Sequence, residues 1–151
     1  MTSKEQILSA LQARCVKREC CAADMRRKAL ERCEGDREMA EEIVGSLIAD
    51  RFVDDARYAA AFAREKSSLT GWGPVKIKFA LRAKGLSDGD IAAGLAEVDA
   101  DAASARLENV LRNKWKSLSE DPDGRLKLIK FALSRGYEYS EVEALVNAIT
   151  R

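Results

Sequence analysis

Two stretches of this chain match one another at a fixed distance, Lys76-Ile77-Lys78-Phe79-Ala80-Leu81-Arg82-Ala83-Lys84-Gly85 and Lys127-Leu128-Ile129-Lys130-Phe131-Ala132-Leu133-Ser134-Arg135-Gly136, with their glycines 51 residues apart. Beyond each glycine an apolar pair recurs at the same offsets, Ile91 and Leu95 in one copy and Val142 and Val146 in the other, which is one face of a helix. A looser first copy runs through Met25-Arg26-Arg27-Lys28-Ala29-Leu30 to Gly35 and then to Ile43 and Leu47, with about two extra residues after the glycine. A repeat with a period near fifty limits the chain to architectures in which one small unit is stacked on its neighbours.

Each copy is expected to hold three helices, because a further amphipathic stretch precedes each matched pair and no segment alternates with period two. The expected fold class is all-α: three tandem three-helix repeats of about 50 residues, at 1–53, 54–100 and 101–151, stacked into an elongated, curved molecule. Punctuation agrees. Ser3 with Gln6 forms a capping box ahead of the stripe Ile7, Leu8, Leu11 and Cys15. Pro74 suits the first turn of the fifth helix, and Gly85 its stop. Ser87 with Asp90, and Ser140 with Glu143, mark the starts of the sixth and ninth helices. No proline-rich linker separates the copies, and the joins near Asp54 and Asp101 are short.

Composition narrows the function. With 46% apolar and 34% charged residues the chain reads as an ordered globular or repeat protein. No apolar run approaches the roughly 20 residues needed to span a bilayer, and the N-terminus lacks signal-peptide order, so a cytoplasmic location is expected. There is no His, which removes the commonest general base near neutral pH. The four cysteines, Cys15, Cys20, Cys21 and Cys33, have no C-x-x-C spacing and read as small helix residues. No enzyme activity, cofactor or metal is expected.

Net charge is only +1, so its distribution matters more than its total. The second helix of each copy is basic, with Arg26, Arg27, Lys28 and Arg32, then Lys76, Lys78, Arg82 and Lys84, then Arg125, Lys127, Lys130 and Arg135. The third helices are acidic, with Glu38, Glu41 and Glu42, then Asp88, Asp90 and Glu97, then Glu138, Glu141 and Glu143. Dipole complementarity accounts for Lys84, Arg135, Asp88 and Glu141, but it disfavours Lys76, Lys78, Arg125 and Lys127 in first turns. A basic ridge able to meet phosphates or acidic partners is the functional reading. A helix-turn-helix reader would place the helix after the turn in the major groove, and here that helix is acidic in every copy, so sequence-specific groove reading is not expected.

Phe52-Val53-Asp54-Asp55-Ala56-Arg57-Tyr58-Ala59-Ala60-Ala61-Phe62 joins the first two copies. Asp54 or Asp55 is expected to cap the fourth helix, with Tyr58 and Phe62 facing the core. Adjacent carboxylates on a helix point about 100° apart, which does not make a metal site. Trp72, between Gly71 and Gly73, must either lie against a neighbouring helix, which is the expectation, or wait for a partner as a binding anchor.

Phe52, Val53, Asp54, Asp55, Arg57, Tyr58 and Ala59, followed by Gly73, Lys76, Ile77, Leu81, Lys84 and Gly85, resemble the hallmark of the RecX regulatory proteins. Upstream, Arg18-Glu19-Cys20-Cys21 resembles that family's Arg-Glu-aromatic-Ser lead into its second helix, with cysteines in place of the aromatic and the Ser. The third copy matches more loosely, with Ala132 where a Leu is usual and Gly136-Tyr137 for Gly-Phe. The resemblance implies binding along the groove of the RecA filament on single-stranded DNA. It implies inhibition of filament growth, ATP hydrolysis, strand exchange and repressor cleavage, in DNA repair, recombination and the SOS response, with no catalytic residue. The candidate partner and nucleic-acid contacts are Arg26, Arg27, Lys28, Arg57, Lys76, Lys78, Arg82, Lys84, Arg125, Lys127, Lys130 and Arg135. The protein is expected to be a monomer, with weak direct DNA binding through phosphates. The alternative is a helical-repeat module that binds DNA or another protein without RecA.

Overall fold

The computed structural model describes residues 3–151 and forms nine α-helices, with no strand among the described residues. They are α1 (Lys4–Lys17), α2 (Ala22–Arg32), α3 (Arg37–Ala49), α4 (Asp55–Leu69), α5 (Pro74–Ala83), α6 (Asp88–Ala96), α7 (Ala100–Leu118), α8 (Gly124–Ser134) and α9 (Tyr139–Thr150). Each of the three copies therefore holds three helices. Residues 1 and 2, which open the first copy, lie outside the described residues.

The glycine that ends each second helix sets the register of the third. Gly35, Gly85 and Gly136 adopt φ of +88°, +83° and +92°, a left-handed conformation that removes the Cβ penalty and turns the chain out of the helix. Leu86 and Tyr137, each one residue past its glycine, are both buried at 6% exposure and close the turn with an apolar contact. In the last two copies the third helix then begins three residues past the glycine, at Asp88 and Tyr139, and in the first α3 begins two past Gly35. Ser87 caps α6 by accepting the Asp90 N–H at 3.2 Å. The corresponding residue in the last copy is Glu138, which is the N-cap of α9 without a side-chain bond to the backbone. Ser140, expected to cap that helix, instead lies inside it. The fixed distance from Gly136, with Tyr137 drawn into the core, starts the helix two residues earlier than the Ser-x-x-Glu pattern implies.

The starts expected at Ser3 and Pro74 agree with the structure, while the join expected near Asp101 lies inside α7, and the caps Asp36 and Asp99 are not among those expected. Ser3 and Gln6 form a reciprocal capping box. Asp36 and Asp99 cap α3 and α7 by accepting the N–H groups of Met39 and Ala102. Pro74 is the first residue of α5, where its missing N–H costs no hydrogen bond.

The chain divides into two compact units, Met1–Ala61 with Leu81–Gly94, and Phe62–Ala80 with Leu95–Arg151. The division runs through α4, α5 and α6, so the middle copy contributes to both. In the first unit α1, α2 and α3 enclose Ile7, Leu11, Met25, Ala29, Ile43, Val44 and Leu47. In the second, α7, α8 and α9 enclose Leu107, Leu111, Leu128, Ala132, Val142, Val146 and Ile149. Each large apolar side chain so enclosed contributes roughly 1.5–3 kcal/mol. Met25 and Ala29, Ile77 and Leu81, and Leu128 and Ala132, the matched pairs of the three second helices, are all within 1% of complete burial.

One expectation about the core is corrected. Tyr58 and Phe62 are only half-buried, and the buried face of α4 is Ala59, Ala63 and Ser67. The reason is close approach: a Cβ on Gly94 of α6 would stand 2.7 Å from both the carbonyl carbon and the Cβ of Ala59. Helices that meet this closely in the first unit leave space on that side for small residues alone.

Candidate nucleic-acid and partner interface

The two adjacent acids of the joining segment have separate structural tasks. Asp54 caps its own helix by accepting the Arg57 N–H at 3.1 Å, and that bond leads the influences that hold its carboxyl below the usual carboxylate range. Asp55 reaches back 33 residues, and its Oδ1 accepts the Ala22 N–H at the start of α2 at 2.8 Å. The N-cap of α2 is Cys21, whose thiol makes no capping hydrogen bond. The carboxylate from α4 thus satisfies the first of the N–H groups that a helix start leaves without a partner, one that an N-cap side chain, which accepts from the second or third residue of the helix, does not address.

Arg57 and Lys84 complete this junction within the first unit. The Arg57 Nε donates to Glu19 at 2.6 Å, while its terminal nitrogen donates to the carbonyls of Arg51 and Phe52. Lys84 Nζ donates to Asp24 Oδ2 at 3.2 Å. Burial alone would raise the Asp24 carboxyl, but hydrogen bonds from Lys84, Cys21 and Arg27 together hold it below its ordinary value. The same Asp24 bond raises the Lys84 ammonium.

Six of the twelve candidate cations lie in each unit, and the structure sorts them by partner. In the first unit Arg26 pairs with Glu41 at 2.6 Å, Arg27 with Asp24 at 3.1 Å and Arg82 with Asp88 at 3.2 Å, beside Arg57 and Lys84 already described. Lys28 has no carboxylate partner among the described residues. In the second unit Lys127 pairs with Asp121 at 2.6 Å, and Arg125 donates to the Asn147 side chain. Lys76, Lys78, Lys130 and Arg135 have no carboxylate partner among the described residues. Part of the contrast between basic second helices and acidic third helices therefore serves ion pairing inside a repeat, as Arg26 with Glu41 and Arg82 with Asp88 show. Exposed pairs of this kind contribute about 0–1 kcal/mol, so a phosphate can compete for their cations.

Sequence reasoning missed the aromatic partners of the unpaired cations. Trp72 packs edge-on against Phe62 with centroids 6.3 Å apart, and the ammonium groups of Lys66 and Lys76 both stand over its ring. Lys114 and Arg135 stand over Phe131 in the same way. No spacing rule links Lys66 to Trp72 or Lys114 to Phe131, and only folding brings them together.

The cysteines and a cleft near these rings have bland chemistry. Burial pushes the Cys15 thiol up to about 12 and also raises Cys21 and Cys33, which keeps them protonated and poorly nucleophilic. Among the described residues no three Cys, Asp or Glu side chains are grouped to hold a metal ion. A cleft of about 130 Å³ lies among Ser67, Trp72, Pro74, Ile77, Leu95 and Tyr137, well below the roughly 300 Å³ at which small-molecule sites begin.

Tandem three-helix units with charge displayed along exposed helix faces define a helical-repeat protein. Residues 54–95 match the family model described as RecX, second three-helix domain. A regulatory protein RecX of Pseudomonas entomophila is 32% identical over 132 residues, covering 87% of this chain and 83% of that protein. One from Clostridium tetani is 28% identical over 118 residues, covering 76% of this chain and about half, 54%, of that protein. The crystal structure of RecX from Lactobacillus salivarius superposes with a TM-score of 0.86 at 18% identity, over 97% of this chain and 96% of that one. A second crystal structure of a regulatory protein RecX gives 0.83 at 20% identity, over 95% of this chain and 71% of that one. The chain belongs to the RecX family of regulatory proteins.

Proposed function

We propose that this protein binds the RecA filament on single-stranded DNA and restrains it, lowering recombinase, ATPase and coprotease activity in DNA repair and the SOS response. The observation that carries the reading is the match to the Pseudomonas regulatory protein over most of both chains. The charge arrangement supports it. A filament of protein and DNA presents both acidic side chains and phosphates. Lys28 in the first unit and Lys76, Lys78, Lys130 and Arg135 in the second, backed by exposed and exchangeable pairs such as those of Arg26 and Lys127, suit such a composite groove. In this reading the repeats at 1–53, 54–100 and 101–151 are successive contact modules of a cytoplasmic monomer that catalyses no reaction.

The test is the DNA-dependent ATPase of RecA at increasing amounts of the purified protein. Inhibition at fewer than one copy per RecA subunit is the expected outcome. ATPase unaffected at equimolar protein would defeat the reading. A helical module that binds nucleic acid without RecA would instead bind free DNA and filament alike at the same ionic strength.

A further inference from the structure

Four cations of the second unit rest on aromatic faces and have no carboxylate partner among the described residues. Lys66 Nζ lies 4.9 Å and Lys76 Nζ 4.6 Å from the Trp72 ring centre. Lys114 Nζ and the Arg135 guanidinium each lie 5.2 Å from that of Phe131. The two groups adjoin, because their backbones are hydrogen-bonded. Gly73 N–H donates to the Arg135 carbonyl at 2.6 Å, Val75 N–H to the Gly136 carbonyl at 2.9 Å, and the Arg135 guanidinium to the Thr70 carbonyl at 3.0 Å. This closeness depends on glycine, since a Cβ on Gly73 would run into Gly136 and one on Gly136 into Lys76. On α5, one turn beyond Lys76, Phe79 leaves 75% of its surface in solvent beside Lys78.

An unpaired ammonium over a ring keeps its full charge, and the attraction that holds it there at a partly exposed site is weak. A phosphate oxygen offers a stronger, charge-assisted hydrogen bond. When the ammonium moves to the phosphate, it uncovers the ring face that a base can then occupy. Alternating cations and rings match a polymer that alternates phosphates and flat bases with their faces accessible. Duplex DNA keeps those faces stacked inside, and an acidic peptide has charges without an accompanying base. We infer that the second unit carries a binding site for single-stranded DNA, in which Lys66, Lys76, Lys114 and Arg135 take the phosphates and Trp72 and Phe131 take bases. The inference draws on the proposed function for its setting, a single strand held in a RecA filament, while its chemistry stands without RecA.

The experiment titrates the full chain into a labelled oligothymidylate of about 20 nucleotides and follows anisotropy and tryptophan emission together. Wild type is expected to bind with quenching of Trp72. The double variant Lys66→Glu/Lys114→Glu, confirmed as folded by circular dichroism, should bind at least about tenfold more weakly, and its slope of log affinity against log salt should be shallower by about 1.4, about 0.7 for each phosphate no longer neutralised. Trp72→Phe keeps a ring and should hold affinity within about threefold while removing most of the quench. Lys4→Glu, in the first unit and with its cation paired to Glu42, should change affinity by less than about threefold. Unchanged affinity of the Lys66/Lys114 variant overturns the inference, and so does equal binding of a duplex of the same length. If wild type ignores the oligonucleotide but the double variant loses the filament, the face meets acidic protein and the inference also fails. Failure of the proposed function appears elsewhere, as a RecA ATPase that wild type leaves untouched, and does not alter the oligonucleotide result.

Discussion

Replacing Asp55 with Ala tests whether the second acid of the joining segment caps a helix 33 residues upstream. The variant leaves the Asp54 cap on α4 in place and removes only the acceptor for the Ala22 N–H, held at 2.8 Å. Loss of a side-chain acceptor at a helix start costs about 1 kcal/mol, and loss of a negative charge at the same end about 0.3–1 kcal/mol more. The expected destabilisation is therefore about 1.5–2 kcal/mol, or about 5 °C in melting temperature for a protein of this size. Urea unfolding followed by circular dichroism measures it, with an unchanged m-value expected. Asp55→Asn keeps an acceptor oxygen and should lose roughly half as much. Cys21 already has the extended backbone of an N-cap, φ −91° and ψ 158°. Cys21→Ser would offer its hydroxyl to the Ala23 or Asp24 N–H, not to that of Ala22, and should stabilise the wild type and the Asp55→Ala background by a similar amount, about 1 kcal/mol. An Asp55→Ala variant within about 0.5 kcal/mol of wild type would refute the capping role.

Two more variants probe the first unit. The Asp24 carboxyl sits below its ordinary value of 3.8, so its contribution to stability is present above about pH 4 and is lost as pH falls through the folded value. Asp24→Asn should flatten the stability profile over that acid range, and an unchanged acid limb would show that the Lys84 and Arg27 bonds contribute nothing. Gly94→Val places a Cβ 2.7 Å from the Ala59 backbone and should cost about 1–3 kcal/mol in thermal or urea unfolding, with wild-type stability disproving the close α4–α6 contact.

Most of the local architecture was legible in the residues themselves. The 51-residue offset between Gly85 and Gly136 located two helix stops, and Gly35 located the third, because a left-handed residue favours glycine wherever it falls. Ser3 with Gln6, Pro74 and Ser87 marked helix starts through bonds that span three or four residues. The same rules failed at Ser140, where a cap pattern competed with the count from Gly136 and with the burial of Tyr137, and the tertiary contact prevailed. They failed again at Tyr58 and Phe62, since helical spacing identifies an apolar face without stating how closely the next helix approaches it.

The candidate interface was legible only in its charge. Basic second helices stood out from composition, but nothing in the chain order tells that Arg57 meets Glu19 38 residues away or that Lys84 meets Asp24 60 residues away. Nor does it tell that Lys76 rests on a tryptophan while Lys127 is held by an aspartate. Sequence alone determined the helices, their stops and the threefold repetition, since caps, φ preferences and helical period act within about four residues. Tertiary structure decided which cations are neutralised and which stay available. Ion pairs and cation–ring contacts depend on distances of a few ångströms between segments that only packing brings together.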